Sequence, residues 1–428
     1  MELEKYSLGI GDRFGREGVA QLHALDVARA RGVFVAPVWN KSNREHTLIG
    51  TSPDDSRRRV DEAVIAAGWR GSHYVDADHI GLANVDRFLE PCDFFTIDVA
   101  DQIGRPAEPE PTAAFLRAMA HFVGPLRVPG MDGFLDVSGD LLAEVARKYL
   151  FAVEEAGRVY RRIVEKKGAA HFVTEISIDE ADSPQRPAEL FFILAALARE
   201  DVAVQTIAPK FSGAFLKGVD YVGDVRTFEA EFEDDLAVVA FARRTFGLPA
   251  NLKLSVHSGS DKFSLYPVIH RLMVKHDAGI HLKTAGTTWL EEVIGLAAAG
   301  GEGLAMAKHI YARAFARFDE LAKPYLAVID IDRAKLPPPD EVAGWSSGEF
   351  VDALEHEPSC PRFNSDFRQL VHIAFRVAAE AGSRFTNLLE THREIIEAHV
   401  KDNLLLRHIE PLFLGPSAGH PPEAPGTY

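Results

Sequence analysis

Residues 73–79 read HYVDADH, and this stretch guides our interpretation of the fold. A short apolar run ends here on two carboxylates and an imidazole. Strand alternation puts Asp76 and Asp78 on one face, and we expect His79 to follow in a loop where it can turn inward. Three ionisable groups at the end of an apolar strand are unfavourable unless they are used. The alternative is that the aspartates only cap a turn.

Other apolar runs repeat this arrangement. Three more end on ionisable residues and one carries them inside the run: FTID at 95–98, FVTE at 172–175, LKLSVH at 252–257 and GIHLK at 279–283. In barrels of alternating strands and helices, the active site lies at the C-terminal ends of the strands. The repetition therefore indicates an enzyme, and the mixture of carboxylates and imidazoles indicates metal binding or proton transfer.

The order of elements predicts the fold class. Eight apolar runs have strand character, and helical periodicity follows most of them; such alternation predicts a parallel sheet, and eight parallel strands close a barrel. We predict an α/β fold, a (β/α)8 TIM-like barrel, over residues 1–303, with a helical insertion at about 106–167. Residues 304–415 are predicted to form a helical extension docked on the barrel, and residues 416–428 a flexible tail. The eight predicted strands are Tyr6–Ile10, Val33–Val38, Ser72–Val75, Phe94–Asp98, His171–Ile176, Val202–Ile207, Lys253–His257 and Gly279–Lys283.

Composition narrows the function classes. The 428 residues carry a net charge of -16, which argues against nucleic acid as a partner because phosphate binding needs a basic face. The two cysteines exclude a disulfide scaffold. We find no leader peptide and no apolar run long enough to span a membrane, so we expect a cytoplasmic protein without a membrane partner. The sequence leaves the oligomeric state open.

Individual strand-end residues suggest roles. Burial of Glu175 in an apolar run is expected to raise its pKa and suit it to acid/base work. His257 precedes a polar loop, and His281 shares a strand face with Lys283, so both imidazoles are candidate metal ligands. Asp98 and Asp101 are weaker candidates, placed behind the ligands. For each residue, a purely structural role is the alternative.

Two segments offer donors for an anion or for hydroxyls. Residues 39–46, which we expect to form a loop after the second strand, contain Asn40, Lys41 and Arg44. A later loop contains Lys210. Solvated loops are the alternative for both.

Several segments together resemble one family. They are YSLGIGDRFG at 6–15, PVWNKSNREH at 37–46, VDADH at 75–79, LSVHSGSDKF at 254–263 and KTAGTTWLEE at 283–292. These segments are similar to the tagaturonate/fructuronate epimerases, over about residues 6–415. The resemblance implies a metal-dependent isomerase of hexuronate catabolism that takes a small sugar acid and interconverts D-tagaturonate and D-fructuronate.

The family reaction constrains the mechanism. The two sugar acids differ at a carbon β to the ketone, whose C–H bond the carbonyl does not acidify, so enolisation alone cannot invert it. A retro-aldol route can, with a divalent cation (Zn, Mn, Ni or Co) stabilising an enediolate fragment. Our hypothesis assigns acid/base roles to Asp78 and Glu175. It assigns metal ligation to His79, His257 and His281, and substrate binding to Asn40, Lys41, Arg44, Lys210 and Lys283. The alternatives are an aldolase or isomerase of a related sugar acid, or a barrel that binds a sugar acid without catalysis.

Overall fold

The computed structural model describes residues 1–284 and 286–415. Eight parallel strands form a closed barrel in which each barrel strand pairs with the barrel strands before and after it along the chain, and the last strand pairs with the first. The predicted barrel fold is therefore confirmed. The barrel strands are β1 (Tyr6–Ile10), β2 (Ala36–Ser42), β3 (Tyr74–Ile80), β4 (Phe94–Asp98), β7 (Val173–Ser177), β8 (Thr206–Ala208), β9 (Lys253–Val256) and β10 (Ile280–Thr284).

The strands near the site extend further than predicted. The second strand continues to Ser42 and the third to Ile80, so Asn40, Lys41 and His79 belong to strands. Residues 39–46 are therefore not a loop: they complete β2 and begin a helix whose first turn is closed by a capping box between Ser42 and Glu45. The side-chain direction of these residues is consequently set by strand alternation.

Helices cover the barrel and fill the C-terminal region. The first group is α1 (Gly18–Ala30), α2 (Asn43–Ile49), α3 (Pro53–Ala67), α4 (Pro109–Met119), α5 (Gly139–Lys167), α6 (Pro187–Arg199), α7 (Val225–Phe246), α8 (Tyr266–His276) and α9 (Thr287–Ala299). The second is α10 (Gly301–Ala316), α11 (Phe318–Ala322), α12 (Pro339–Ala343), α13 (Ser347–Leu354), α14 (Ser365–Ile373), α15 (Phe375–Glu380), α16 (Ser383–Thr391) and α17 (Arg393–Asp402), followed by a π-helical segment, Asn403–Leu414.

The segment predicted as an insertion lies between β4 and β7. It contains α4, a small antiparallel hairpin of β5 (Gly124–Leu126) and β6 (Leu135–Val137), and the long helix α5. One face of α5 is buried against α4 and α6, and its other face is polar. This helix takes the place of the helix that normally follows a barrel strand.

The C-terminal helices pack on α9 and also on α1, α2 and α8. Residues 287–297 of α9 are all buried, because this helix lies between the barrel and α10, α13 and α17. A second apolar core, centred on Trp289, Tyr311 and Phe367, joins α9 to the C-terminal helices. Residue 303, at which the sequence predicts the barrel unit to end, lies within helix α10. The predicted flexible tail, residues 416–428, lies outside the described residues.

None of the helices in the described ranges is long and apolar enough to cross a membrane.

Candidate functional site

A cavity of about 610 Å³ opens at the C-terminal ends of the barrel strands. We call it the site cavity. Its walls come from strand ends, from the loops that follow them and from the C-terminal helical region. Asp78, His79, Asp98, His257 and Lys283 line it at the barrel end, Asp179, Lys210 and Lys217 in the loops, and Tyr325 and His372 from the C-terminal region. The structure thus brings most of the predicted site residues to one place.

Lys283 lies at the centre of the barrel end. Its Nζ donates to Asp76 Oδ2 at 2.9 Å and to Asp78 Oδ1 at 2.7 Å, and it lies 3.0 Å from Glu175 Oε1. The hydroxyl of Thr96 lies 2.5 Å from the same ammonium. The side chain of Lys283 is only 4% exposed, so three carboxylates share one buried positive charge. Lys283 is therefore the cation that neutralises these carboxylates. It is less available to bind a substrate anion than we predicted from the sequence.

Although they share one ammonium, the carboxylates of Asp76 and Asp78 have pKa values that are shifted in opposite directions. Burial raises the pKa of Asp76 to about 7 despite the nearby Lys283. Burial acts in the same direction on Asp78, but Lys283 and His79 outweigh it and lower the pKa of Asp78 to about 2. Burial by itself would lower the pKa of Lys283, yet the three carboxylates raise it well above its usual range. Asp78, which lines the site cavity, is therefore ionised at neutral pH.

Glu175 differs from the sequence expectation. Burial does favour its neutral form, but Lys283 and His257 outweigh burial and hold the pKa of Glu175 well below its usual range. The expected rise in pKa is therefore wrong, because the strand sequence did not show that two cationic groups from β10 and β9 would face this carboxylate. Glu175 is fully buried beneath the site cavity. Its Oε1 accepts from His257 Nε2 at 2.7 Å.

His79 reaches the cavity through an irregular backbone. Alternation from Asp76 and Asp78 would point it outward, but its φ of 51° and a register shift between Ala77 and Ile80 turn it inward. Such bulges often redirect a side chain beside an active site. Nδ1 of His79 lies 2.8 Å from Asp98 Oδ2, which leaves Nε2 to face the cavity. Asp98 therefore contacts the ring nitrogen of His79 that does not face the cavity, as we expect for a residue that orients a metal ligand.

His257 is held between two carboxylates. Its Nδ1 lies 3.0 Å from Asp179 Oδ1, and its Nε2 bonds Glu175 on the other side. Asp179 was not among the sequence candidates, because it lies in the loop two residues after β7 ends, where strand alternation no longer predicts direction. The sequence signal that could have identified Asp179 is its acidic side chain just beyond the end of a barrel strand.

His79, Asp179 and His257 form a group that fits a divalent cation. One ligand atom from each lies within 4.8 Å of the others. Burial would lower the pKa of both imidazoles, but Asp78 and Asp98 raise that of His79 to about 10, and Asp179 and Glu175 raise that of His257 to about 9. The group is thus rich in negative charge that a cation can neutralise. Two imidazoles and a carboxylate, each imidazole backed by a further carboxylate, suit a transition metal ion.

His281 lies apart from this group. It is completely buried in the barrel, where Nδ1 lies 2.9 Å from Ser7 Oγ and the ring packs against Phe94. Burial lowers the pKa of His281 to about 3. Although His281 and Lys283 share a strand face, His281 is two residues nearer the N-terminal end, so it occupies the layer below the site. The structure therefore does not bring it together with His79 and His257.

The predicted substrate-binding residues divide between two cavities. Asn40 is buried and lines both cavities, and its Oδ1 has no hydrogen-bond partner among the described residues. Lys41 points to the other side of β2, because neighbouring strand residues alternate. It lines a separate cavity of about 290 Å³, and its Nζ donates to the carbonyl of Arg13 at 2.7 Å.

Arg44 and Lys210 both line the site cavity. Arg44 is exposed, and its guanidinium lies 4.9 Å from the ring centre of Tyr325. Lys210 donates from Nζ to the carbonyl of Ala181 at 2.5 Å. These two cations lie at the rim, in contrast to the buried Lys283.

The fold and the site define an enzyme of the (β/α)8-barrel class, with a group for a cation and an ionised carboxylate side by side. Comparison with known proteins gives the particular family. A family model described as UxaE, tagaturonate epimerase, matches residues 1–412. The chain belongs to this family of isomerases, which confirms the resemblance found in the sequence.

Two relatives agree with this assignment. A curated tagaturonate/fructuronate epimerase of Thermotoga maritima is 27% identical over 421 residues, covering 94% of this chain and 80% of the relative. A crystal structure of the fructuronate-tagaturonate epimerase UxaE of Cohnella laeviribosi, complexed with glycerol, is similar with a TM-score of 0.79 at 24% identity. That match covers 96% of this chain and 82% of the other, and supports the fold.

Proposed function

We propose that this protein interconverts D-tagaturonate and D-fructuronate at the site cavity and requires a divalent cation held by His79, Asp179 and His257. Family membership supports the reaction. The observation that carries the site assignment is the position of the ionised Asp78 beside both Lys283 and this group of ligands. When bound, the cation would act as a Lewis acid toward the oxygens at the ketone end of the sugar acid.

Asp78 is the proposed proton acceptor. It is ionised at neutral pH and lines the cavity, so it can take the proton from the hydroxyl on the carbon that inverts. The bond between this carbon and the carbon next to the ketone then breaks, and its electron pair stays with the ketone fragment. The other fragment becomes an aldehyde, rotates, and presents its opposite face. The bond re-forms when the electron pair returns, and the proton is given back to the new alkoxide.

Lys283 and Glu175 have supporting roles in this proposal. The ammonium of Lys283 lies 2.7 Å from Asp78 Oδ1, so it keeps Asp78 ionised and offers a donor to an oxygen that becomes negative during the reaction. Glu175 is too deeply buried to meet the substrate. We propose that it fixes His257 through Nε2 and balances Lys283, which makes it a positioning residue.

The test is turnover of D-tagaturonate by metal-stripped and metal-reloaded protein, followed by NMR in deuterated water. We expect D-fructuronate only with metal, and no deuterium at the inverted carbon. Deuterium uptake at that carbon would contradict the bond-cleavage route while keeping the epimerase. Cleavage products or an aldose would identify an aldolase or a different isomerase. If none of the metals supports conversion, the proposal is overturned.

Asp78→Asn gives a matched variant for the same assay, because the amide keeps the shape of the side chain and removes the charge. We expect kcat to fall by about 10²- to 10⁴-fold, as is typical for loss of a general base. Bound metal, measured by elemental analysis, should stay at the wild-type level. Near-normal turnover would exclude Asp78 as the proton acceptor.

A further inference from the structure

His372 is a polar side chain from the C-terminal helical region that faces the site cavity. It lies in the last turn of α14 and is 1% exposed. Neither of its ring nitrogens has a hydrogen-bond partner among the described residues. Buried polar atoms in proteins are nearly always paired, so an imidazole with two unpaired nitrogens at a cavity wall is a candidate for binding a ligand.

The charges around His372 indicate the sign of that ligand. Burial, and then the positive charges of Arg13 and Lys217, hold the pKa of His372 well below its usual range, so the ring is neutral. Arg13 already has a counter-charge, since its Nε donates to Glu45 at 3.0 Å. The ammonium of Lys217 instead donates to the hydroxyl of Ser258 at 2.9 Å, and it forms no ion pair with any residue of the described ranges. This part of the cavity therefore has a cation that is not directly paired with a carboxylate.

Two glycines pack against the imidazole and make room for its ring in the cavity wall. Gly286 also lines the cavity, and a methyl group at this position would overlap Nε2 of His372. Gly218 packs against the other edge of the ring and follows Lys217 directly. The ring is thus close to Lys217, and on its Nε2 side it packs against Gly286, where a larger residue would not fit.

The C-terminal region also fixes the loop that carries Lys217. The backbone N–H of Lys217 donates to the carbonyl of Val328 at 2.8 Å. Arg368 donates to the carbonyl of Gly218 at 2.5 Å and forms a fully buried ion pair with Asp261 at 3.0 Å. The loop is therefore held on both sides, which lowers the entropic cost of ordering a ligand-binding group.

We propose that Lys217 and His372 form the subsite that binds the carboxylate of the sugar acid. The inference rests on the proposed function and deepens it. In a ketohexuronate, the carboxylate is at the opposite end of the carbon chain from the ketone, so bond cleavage leaves it on the aldehyde fragment. A carboxylate held by Lys217 and His372 keeps that fragment in the cavity while its aldehyde group rotates. The subsite also distinguishes a uronate from the neutral ketose.

The experiment compares the metal-loaded wild type with Lys217→Met, Lys217→Arg and His372→Asn. Each protein is titrated calorimetrically with D-tagaturonate and with D-tagatose, which has a hydroxymethyl group in place of the carboxylate. Turnover of both sugars is measured in parallel. Because a hydrogen bond to a charged group is involved, we expect Lys217→Met and His372→Asn to weaken uronate binding by about 10- to 100-fold. Tagatose affinity should be unaffected, and Lys217→Arg should retain most of the uronate affinity.

Other outcomes separate the subsite from the reaction. Equal losses for both sugars, no loss at all, or equal losses in Lys217→Met and Lys217→Arg would overturn the subsite. Uronate binding without conversion by the wild type would contradict the proposed function, and the same titrations would still test the subsite. Absence of uronate binding by the wild type would overturn both. Lys335→Met, an exposed change in the C-terminal region, is the control, and thermal melting verifies that each variant is folded.

Discussion

Replacing Lys283 by Met tests how the barrel end is held together. Methionine has similar length without the charge, so Asp76, Asp78 and Glu175 lose the ammonium that lies within 3.0 Å of each. Removing one partner of a buried ion pair leaves an uncompensated charge, which costs about 3–5 kcal/mol of stability. We expect a loss of this size at neutral pH.

The loss should depend on pH in a defined direction. In the wild type, Lys283 lowers the pKa of Asp78 and Glu175, and this contribution to stability is lost as pH falls. In Lys283→Met, we expect burial to outweigh the remaining effect of His79 and His257 and to raise the pKa values of Asp78 and Glu175 above those of the unfolded chain. The folded variant then binds more protons than the unfolded one, and its stability falls by about 1.4 kcal/mol per pH unit for each extra proton as pH rises. The difference from wild type is therefore smallest near pH 5 and largest near pH 7.5.

Urea unfolding followed by circular dichroism measures this difference, with a chelator present so that no cation replaces the ammonium. Lys335→Met serves as the surface control, and exposed pairs of this kind contribute about 0–1 kcal/mol. A loss below about 1 kcal/mol near pH 7.5 would refute the reasoning, since it falls well short of the value for a broken buried pair. An equal loss at both pH values would refute it as well.

The remaining predictions concern the metal group. Asp98→Asn removes the charged partner of His79 Nδ1, so we expect metal affinity, measured by competition with a chromogenic chelator, to fall by about 10- to 100-fold; unchanged affinity would show that Asp98 does not orient the ligand. His281→Gln should leave metal affinity at the wild-type level and reduce only stability, because His281 bonds Ser7 below the site. A large loss of bound metal in His281→Gln would restore His281 as a ligand.

Much of the barrel was predictable because its strands are short, apolar and regular. All eight predicted strands are present, and the largest boundary errors lie at the ends of β2 and β3, where polar residues continue the strand, and at the start of β8, which begins at Thr206 instead of Val202. Asn40 and Asp76 looked like residues of a loop and a strand end, yet they pair in register within the sheet. The local conformational propensity of Asn and Asp favours a turn, but pairing with neighbouring strands in the closed barrel keeps these residues in strands.

The chemistry of individual groups was less predictable than their positions. The sequence placed Asp78, His79, His257 and Lys283 at one end of the barrel, which the structure agrees with. The sign of the Glu175 shift was wrong because it depends on contacts with residues 82 and more positions away along the chain. Lys217 and His372 were missed because a long loop and a distant helix show no periodicity that relates them to the strands.

Closure of the barrel has a consequence for synthesis of the chain. The ribosome releases β1 first, but one edge of β1 has no partner until β10 is synthesised. The hydrogen bond from Thr284 Oγ1 to the carbonyl of Gly9, for example, joins residues that are 275 positions apart. Arg368, the partner of the buried Asp261, is synthesised 107 residues after Asp261. The exposed edge of β1 persists for most of translation, and the apolar face of α9 stays uncovered from its synthesis until α10, α13 and α17 have followed. Such surfaces favour aggregation. Production of the protein should therefore respond to slower synthesis, lower temperature and added chaperones, and fragments that end near residue 303 should be insoluble.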